Sequence, residues 1–129
     1  MKKITSEMLK IYKPLSGLDW LNYKIVRNNM TAHHIVKREF GGKLEVSNIA
    51  PLMNDGHIYL HIIEYNDLKT YESINKLFKY INDQGYEPTN EQREIIEYLL
   101  TSFEKEHIKD KTSKGKLLIK HQYLERSFK

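Results

Sequence analysis

Four of the six histidines in this 129-residue chain fall in the 29 residues from His33 to His61. A neutral imidazole ligates a divalent ion through one ring nitrogen, and histidine is the side chain whose charge changes nearest neutral pH. Such a cluster therefore points to a metal site, to acid–base chemistry, or to both. The chain has no cysteine, which excludes thiolate zinc, iron–sulfur clusters and thiol nucleophiles. Any metal must be held by His, Asp, Glu or Asn.

The elements that position these rings follow from local signals. His57, Leu60, His61 and Glu64 recur at helical spacing, with Asn54 or Asp55 placed to cap. On that helix His57 and His61 lie one turn apart, about 6 Å, a separation one divalent ion can bridge. His33 and His34 lie in the short apolar run Met30–Val36, read as a strand, where neighbouring side chains point to opposite faces. Only one of the pair can join the helix histidines, leaving the other to act beside the metal. A second run, Ile49–Met53, reads as the partner strand. Gly41 and Gly42 supply the positive φ that a long connecting loop needs, and Pro51 marks the second strand as short or at an edge.

The stretch from His33 to His61, HHIVKREFGGKLEVSNIAPLMNDGHIYLH, combines a His pair, a glycine-bearing loop, Asn48 fourteen residues after His34, and His57 and His61 nine and thirteen residues after Asn48. This pattern resembles the HNH nucleases of ββα-metal fold, within them the branch that includes the colicin DNases. The resemblance covers residues 32–61. It implies that His33, His57 and His61 ligate one divalent metal, that His34 is the general base, and that Asn48 holds the hairpin loop or His34 in position. The metal would be zinc, magnesium, manganese, nickel or cobalt. The implied activity is metal-dependent hydrolysis of DNA phosphodiester bonds, with RNA as the alternative substrate. The chain departs from many HNH members in lacking CxxC pairs for a structural zinc, so the helices after residue 66 must support the hairpin.

Ligating imidazoles usually donate their other N–H to a carboxylate or carbonyl, and Glu64 and Glu45 are the candidates. Arg27, Lys37 and Arg38 flank the first strand and are candidate phosphate contacts, since an Arg fork matches phosphate oxygens. The contrasting reading is a non-catalytic nucleic-acid- or protein-binding module in which the same histidines hold a structural zinc.

Around this core the sequence predicts an α+β domain: a ββα unit at about 30–65, an N-terminal segment over 1–29, and a helical part over 66–129. A short helix is expected near Ser6–Tyr12, then a turn from Pro14 to Gly17. A second helix follows Asn66 or Asp67 and ends at Gln84-Gly85, and a third opens at Thr89 or Asn90. Its apolar stripe Ile95, Ile96, Leu99, Leu100, Phe103 can close the core or join two subunits. Beyond His107 the Lys-rich segment is expected to dock as a strand or helix. His107 and His121 read as surface residues, and Tyr59, Tyr65 and Tyr71 as packing groups.

The net charge of +4 is too small to announce a nucleic-acid binder, but its distribution is uneven. Residues 1–50 hold nine basic and four acidic side chains, residues 51–107 five and eleven, and residues 108–129 seven and two. Basic ends suit a polyanionic partner and predict salt-sensitive backbone contacts. A homodimer or an acidic inhibitor protein would also fit. No signal-peptide core or membrane-length apolar run is apparent, and the absence of cysteine fits the cytoplasm.

Overall fold

The computed structural model describes residues 3–107, which form an α+β arrangement. Helix α1 (Lys3–Ile11) precedes strands β1 (Met30–His34) and β2 (Ile49–Met53), followed by helices α2 (Asn54–Asn66), α3 (Leu68–Gln84) and α4 (Asn90–His107). The expected docking of the Lys-rich segment 108–129, and His121 within it, lie outside the described residues. No helix among the described residues is long and apolar enough to cross a membrane.

The two strands pair antiparallel, with Met30 opposite Met53, Ala32 opposite Pro51 and His34 opposite Ile49. In a two-stranded sheet both strands are edges, which is why Pro51 is tolerated. β1 stops at His34 rather than reaching Val36, because the Asn48 side chain takes both polar groups of the Val36 backbone. Of the two loop glycines only Gly41 has positive φ (89°). Gly42 is required for a different reason: a Cβ there would lie 1.7 Å from the Val36 carbonyl oxygen.

Side-chain caps set several helix boundaries. Asp67 caps α3 by accepting from the Thr70 N–H and hydroxyl. Thr89 and Gln92 bond reciprocally at the start of α4, Gln92 N–H to Thr89 Oγ1 and Thr89 N–H to Gln92 Oε1, a capping box. Gly85 (φ 129°) ends α3. At α2 the cap position falls on Met53 rather than Asn54 or Asp55. α1 begins at Lys3, three residues before the expected start, because Ile4, Thr5, Met8 and Leu9 form one buried face.

Hairpin and helices share a core in which Ile49, Leu52, Leu60, Ile63, Ile74, Phe78, Ile81 and Phe103 are buried. Each large apolar side chain buried in this way contributes about 1.5–3 kcal/mol. The α4 stripe is narrower than its sequence suggests: Ile96, Leu100 and Phe103 face the core, while Ile95 is exposed. Tyr59 and Tyr71 pack as expected, whereas Tyr65 is exposed.

Residues 12–29 lie on the same core. Trp20 is fully buried among Tyr12, Phe78 and Tyr86. Asp19, also fully buried, accepts N–H bonds from Leu21, Tyr23 and Met53. The bond to Met53 ties this segment to the start of α2. Burial pushes the Asp19 carboxyl up to about 6 despite the three N–H donors. Arg93 of α4 adds a fork to the Asp19 carbonyl, the Asn22 side chain, the Tyr12 hydroxyl and Ser16 Oγ.

Candidate metal centre

The strand alternation divides the His pair. His33 is buried at 2% exposure, with its ring 5.3 Å from that of His57 and 5.9 Å from that of His61. The two α2 rings are 4.9 Å apart. One ring nitrogen from each of the three lies within 4.8 Å of the others.

Hydrogen bonds fix one nitrogen of each ring as a donor. Thr31 Oγ1 donates its one proton to the Leu52 carbonyl (2.8 Å) and also lies 2.8 Å from His57 Nδ1. The hydroxyl must accept there, so His57 carries its proton on Nδ1 and its lone pair on Nε2. The Asn75 amide nitrogen donates to the Ile35 carbonyl, which turns Asn75 Oδ1 toward His33 Nε2 at 2.9 Å. A carbonyl oxygen only accepts, so His33 is protonated on Nε2 and its lone pair is on Nδ1. Glu64 Oε1 accepts from His61 Nδ1 at 3.0 Å, which fixes Nδ1 as the donor of that ring. Three neighbouring imidazoles thus each have one nitrogen fixed as donor, and in His33 and His57 the lone pair is thereby placed on the other.

Their charge state agrees. Burial pushes His33 down to about 4, against the opposing bond to Asn75, and pushes His57 down to about 3, with the neighbouring imidazoles adding to the effect. Both are neutral at pH 7, as ligation requires. Burial pushes the Glu64 carboxyl up, but its bonds to Lys37 and His61 outweigh this and hold it below the usual range. The donor set therefore fits a divalent ion such as zinc, for which imidazole nitrogen is a common ligand at about 2.0–2.1 Å.

His34, half-buried on β1, has an Nε2 atom that is buried and lacks a hydrogen-bond partner. It lines a cavity of about 330 Å³ together with Ala32, His33, Lys37, Arg38, His57, His61 and Tyr71. A larger cleft of about 630 Å³ shares Ala32, His34, Arg38 and His57 with it and continues past Thr31 to Thr5, Asn28 and Leu44. A base candidate and a guanidinium therefore stand where the two spaces meet.

Asn48 holds the loop. Its Oδ1 accepts from the Val36 N–H at 2.9 Å, and its Nδ2 donates to the Val36 and Lys43 carbonyls at 3.0 Å. Lys37 and Arg38 follow directly, so these bonds position both. Lys37 forms an ion pair with Glu64. Arg27 is exposed in a short 3-10 helix before β1 and lines neither of the two cavities. Glu45 accepts from Ser47 Oγ at 3.4 Å rather than from a ring nitrogen.

Two participants escaped the sequence reading. Thr31 carried a signal, since it lies two residues before His33 on the same strand face. Asn75 carried none, being 42 residues from His33 on a helix whose pattern shows only amphipathicity. No family model matches the chain, nor does any curated protein or solved structure, so its function must be argued from the three imidazoles and the side chains that orient them.

Proposed function

We propose that this chain is a metal-dependent endonuclease of HNH type, hydrolysing phosphodiester bonds of DNA, with RNA as the substrate the same chemistry would also admit. One observation carries the reading: three imidazoles converge to within 4.8 Å, each with one nitrogen held as donor, beside a fourth whose buried Nε2 has no internal partner. When held by His33, His57 and His61, a divalent ion supplies electrostatic stabilisation of the negative charge that grows on the phosphate and the leaving oxygen.

His34 is the general base. It accepts a proton as a water oxygen attacks phosphorus and the bond from phosphorus to one sugar oxygen breaks. Arg38 and Lys37 hold the phosphate oxygens, Arg38 through the geometry of its fork. Asn48 is a positioning residue, acting through the loop that carries both.

A second reading has its own support. His33 is 2% exposed, and the cluster links β1 to α2 and, through Asn75, to α3, which is also what a purely structural zinc would join. Plasmid nicking separates the two. Supercoiled plasmid is incubated with purified protein and manganese, magnesium, nickel or zinc, with His34→Ala as control. Cutting by wild type, lost in His34→Ala with zinc binding retained, is the expected result. Plasmid left intact with every metal, or cut equally fast by His34→Ala, overturns the nuclease reading.

A further inference from the structure

Among the described residues three buried side-chain polar atoms lack a hydrogen-bond partner: Trp20 Nε1, His34 Nε2 and the Tyr71 hydroxyl. The first lies in the aromatic core. The other two belong to residues lining the same 330 Å³ cavity as the three imidazoles, and only His34 has a part in the chemistry above. Tyr71, on α3, is 4% exposed, with its ring edge-on to His33 at 6.2 Å. The Lys37 ammonium stands 5.8 Å from the Tyr71 ring centroid.

A buried hydroxyl without a partner has given up its bonds to water for nothing inside the protein. The surroundings define what it lacks. Lys37 and Arg38 are cations, and the N–H groups of the three rings are bonded to Asn75, Thr31 and Glu64. The phenol itself stays protonated, because burial, with the Glu64 charge adding, raises its pKa above the ordinary value. A neutral O–H donor on a ring that has an ammonium group 5.8 Å from its centroid suits an oxygen bearing negative charge.

We propose that the Tyr71 hydroxyl and the Lys37 ammonium form an oxyanion subsite beside the three imidazoles, taking a non-bridging oxygen of a phosphate group. That the phosphate belongs to a nucleic-acid strand rests on the nuclease reading; the subsite itself rests on its two donors. Lys37 is paired with Glu64, so the ligand must compete with Glu64 for the ammonium.

The test uses the full chain loaded with one equivalent of zinc, titrated calorimetrically with inorganic phosphate and, separately, with a thymidine dinucleotide. Tyr71→Phe keeps the ring and removes only the oxygen. It is expected to bind zinc within about twofold of wild type, to melt no lower than wild type when metal-free, and to bind both ligands about tenfold more weakly, the size of one hydrogen bond to a charged group. Lys37→Met is expected to weaken both by a similar factor. Unchanged binding of both ligands by Tyr71→Phe overturns the subsite, as does a fall of several degrees in its metal-free melting temperature, which would reveal an internal partner. A loss confined to inorganic phosphate keeps the subsite but assigns it to a free anion. If binding depends on Tyr71 while wild type never cuts plasmid, the nuclease reading fails and the subsite stands. If plasmid is cut and Tyr71→Phe binds as wild type, the subsite alone fails.

Discussion

Among the described residues two groups of side chains bring three metal-capable donors within 4.8 Å of one another, His33, His57 and His61 in one and Asp67, Glu106 and His107 in the other, and they differ in what each donor is already doing. In the first, each ring has one nitrogen bonded as donor to Asn75, Thr31 or Glu64, which leaves His33 and His57 with a lone pair on the other. In the second, His107 Nε2 is bonded to Asp67 Oδ2 at 3.0 Å and its ring stacks on Phe103. Asp67 caps α3 through both carboxylate oxygens. Slight burial pushes its carboxyl up, but the Thr70 and His107 bonds outweigh this and hold it below the usual range. The side chain of Glu106 is 70% exposed. Proximity alone does not make a metal site; what counts is which atoms the surrounding bonds leave as acceptors.

The largest effect expected comes from the proposed general base. His34→Ala should lower the plasmid-nicking rate by about 10²–10⁴-fold, the usual contribution of a general base, with zinc affinity retained. Next, His57→Ala should weaken zinc binding more than the roughly 10–100-fold that loss of an outer partner costs, whereas His107→Ala should leave it within about twofold. Competition with a chromogenic chelator measures both, and equal losses would erase the distinction between the clusters.

Thr31→Val and Asn75→Ala keep all three ligands but release a ring from its tautomer. Each should cost about 10–100-fold in zinc affinity by the same competition. Unchanged affinity in both would mean that the hydrogen-bond partners do not prepare the site.

In chelator, pH acts through the buried rings. The folded values of His33 and His57, about 4 and about 3, lie below the ordinary 6.5. Between these limits the unfolded chain binds more protons, so stability falls as pH drops from 6.5 toward 4. Asp19, raised to about 6 from 3.8, opposes this, since the folded state takes up its proton first. His57→Gln should therefore show a shallower fall in urea midpoint between pH 7 and pH 5 than wild type. The smallest effect is expected at the exposed cluster, where His107→Ala should change metal-free stability by no more than about 1 kcal/mol, read from the same urea curves.

Legibility followed the range of the interaction. α3 was readable at both ends because its cap, Asp67 to Thr70, spans three residues, and Gly85 marks its close. The pairing of His57 with His61 was readable because helical geometry alone puts them one turn apart. β1 ends two residues before its apolar run does, since Asn48, twelve residues after Val36, takes the backbone groups that would have extended the ladder. Ile95 was misplaced because an apolar stripe does not state how wide its partner surface is.

By itself, then, the amino-acid order determined the hairpin, the helices and the roster of imidazoles, all of which follow from φ/ψ preference, side-chain periodicity and caps acting over a few residues. Tertiary structure decided which face of β1 turns toward α2, which nitrogen of His33 and of His57 keeps a lone pair, and which hydroxyl is buried without a partner beside them. Those outcomes depend on Asn75 meeting His33 across 42 residues and on Thr31 meeting His57 across 26. Contacts at such separations exist only once the apolar core has brought the helices against the hairpin.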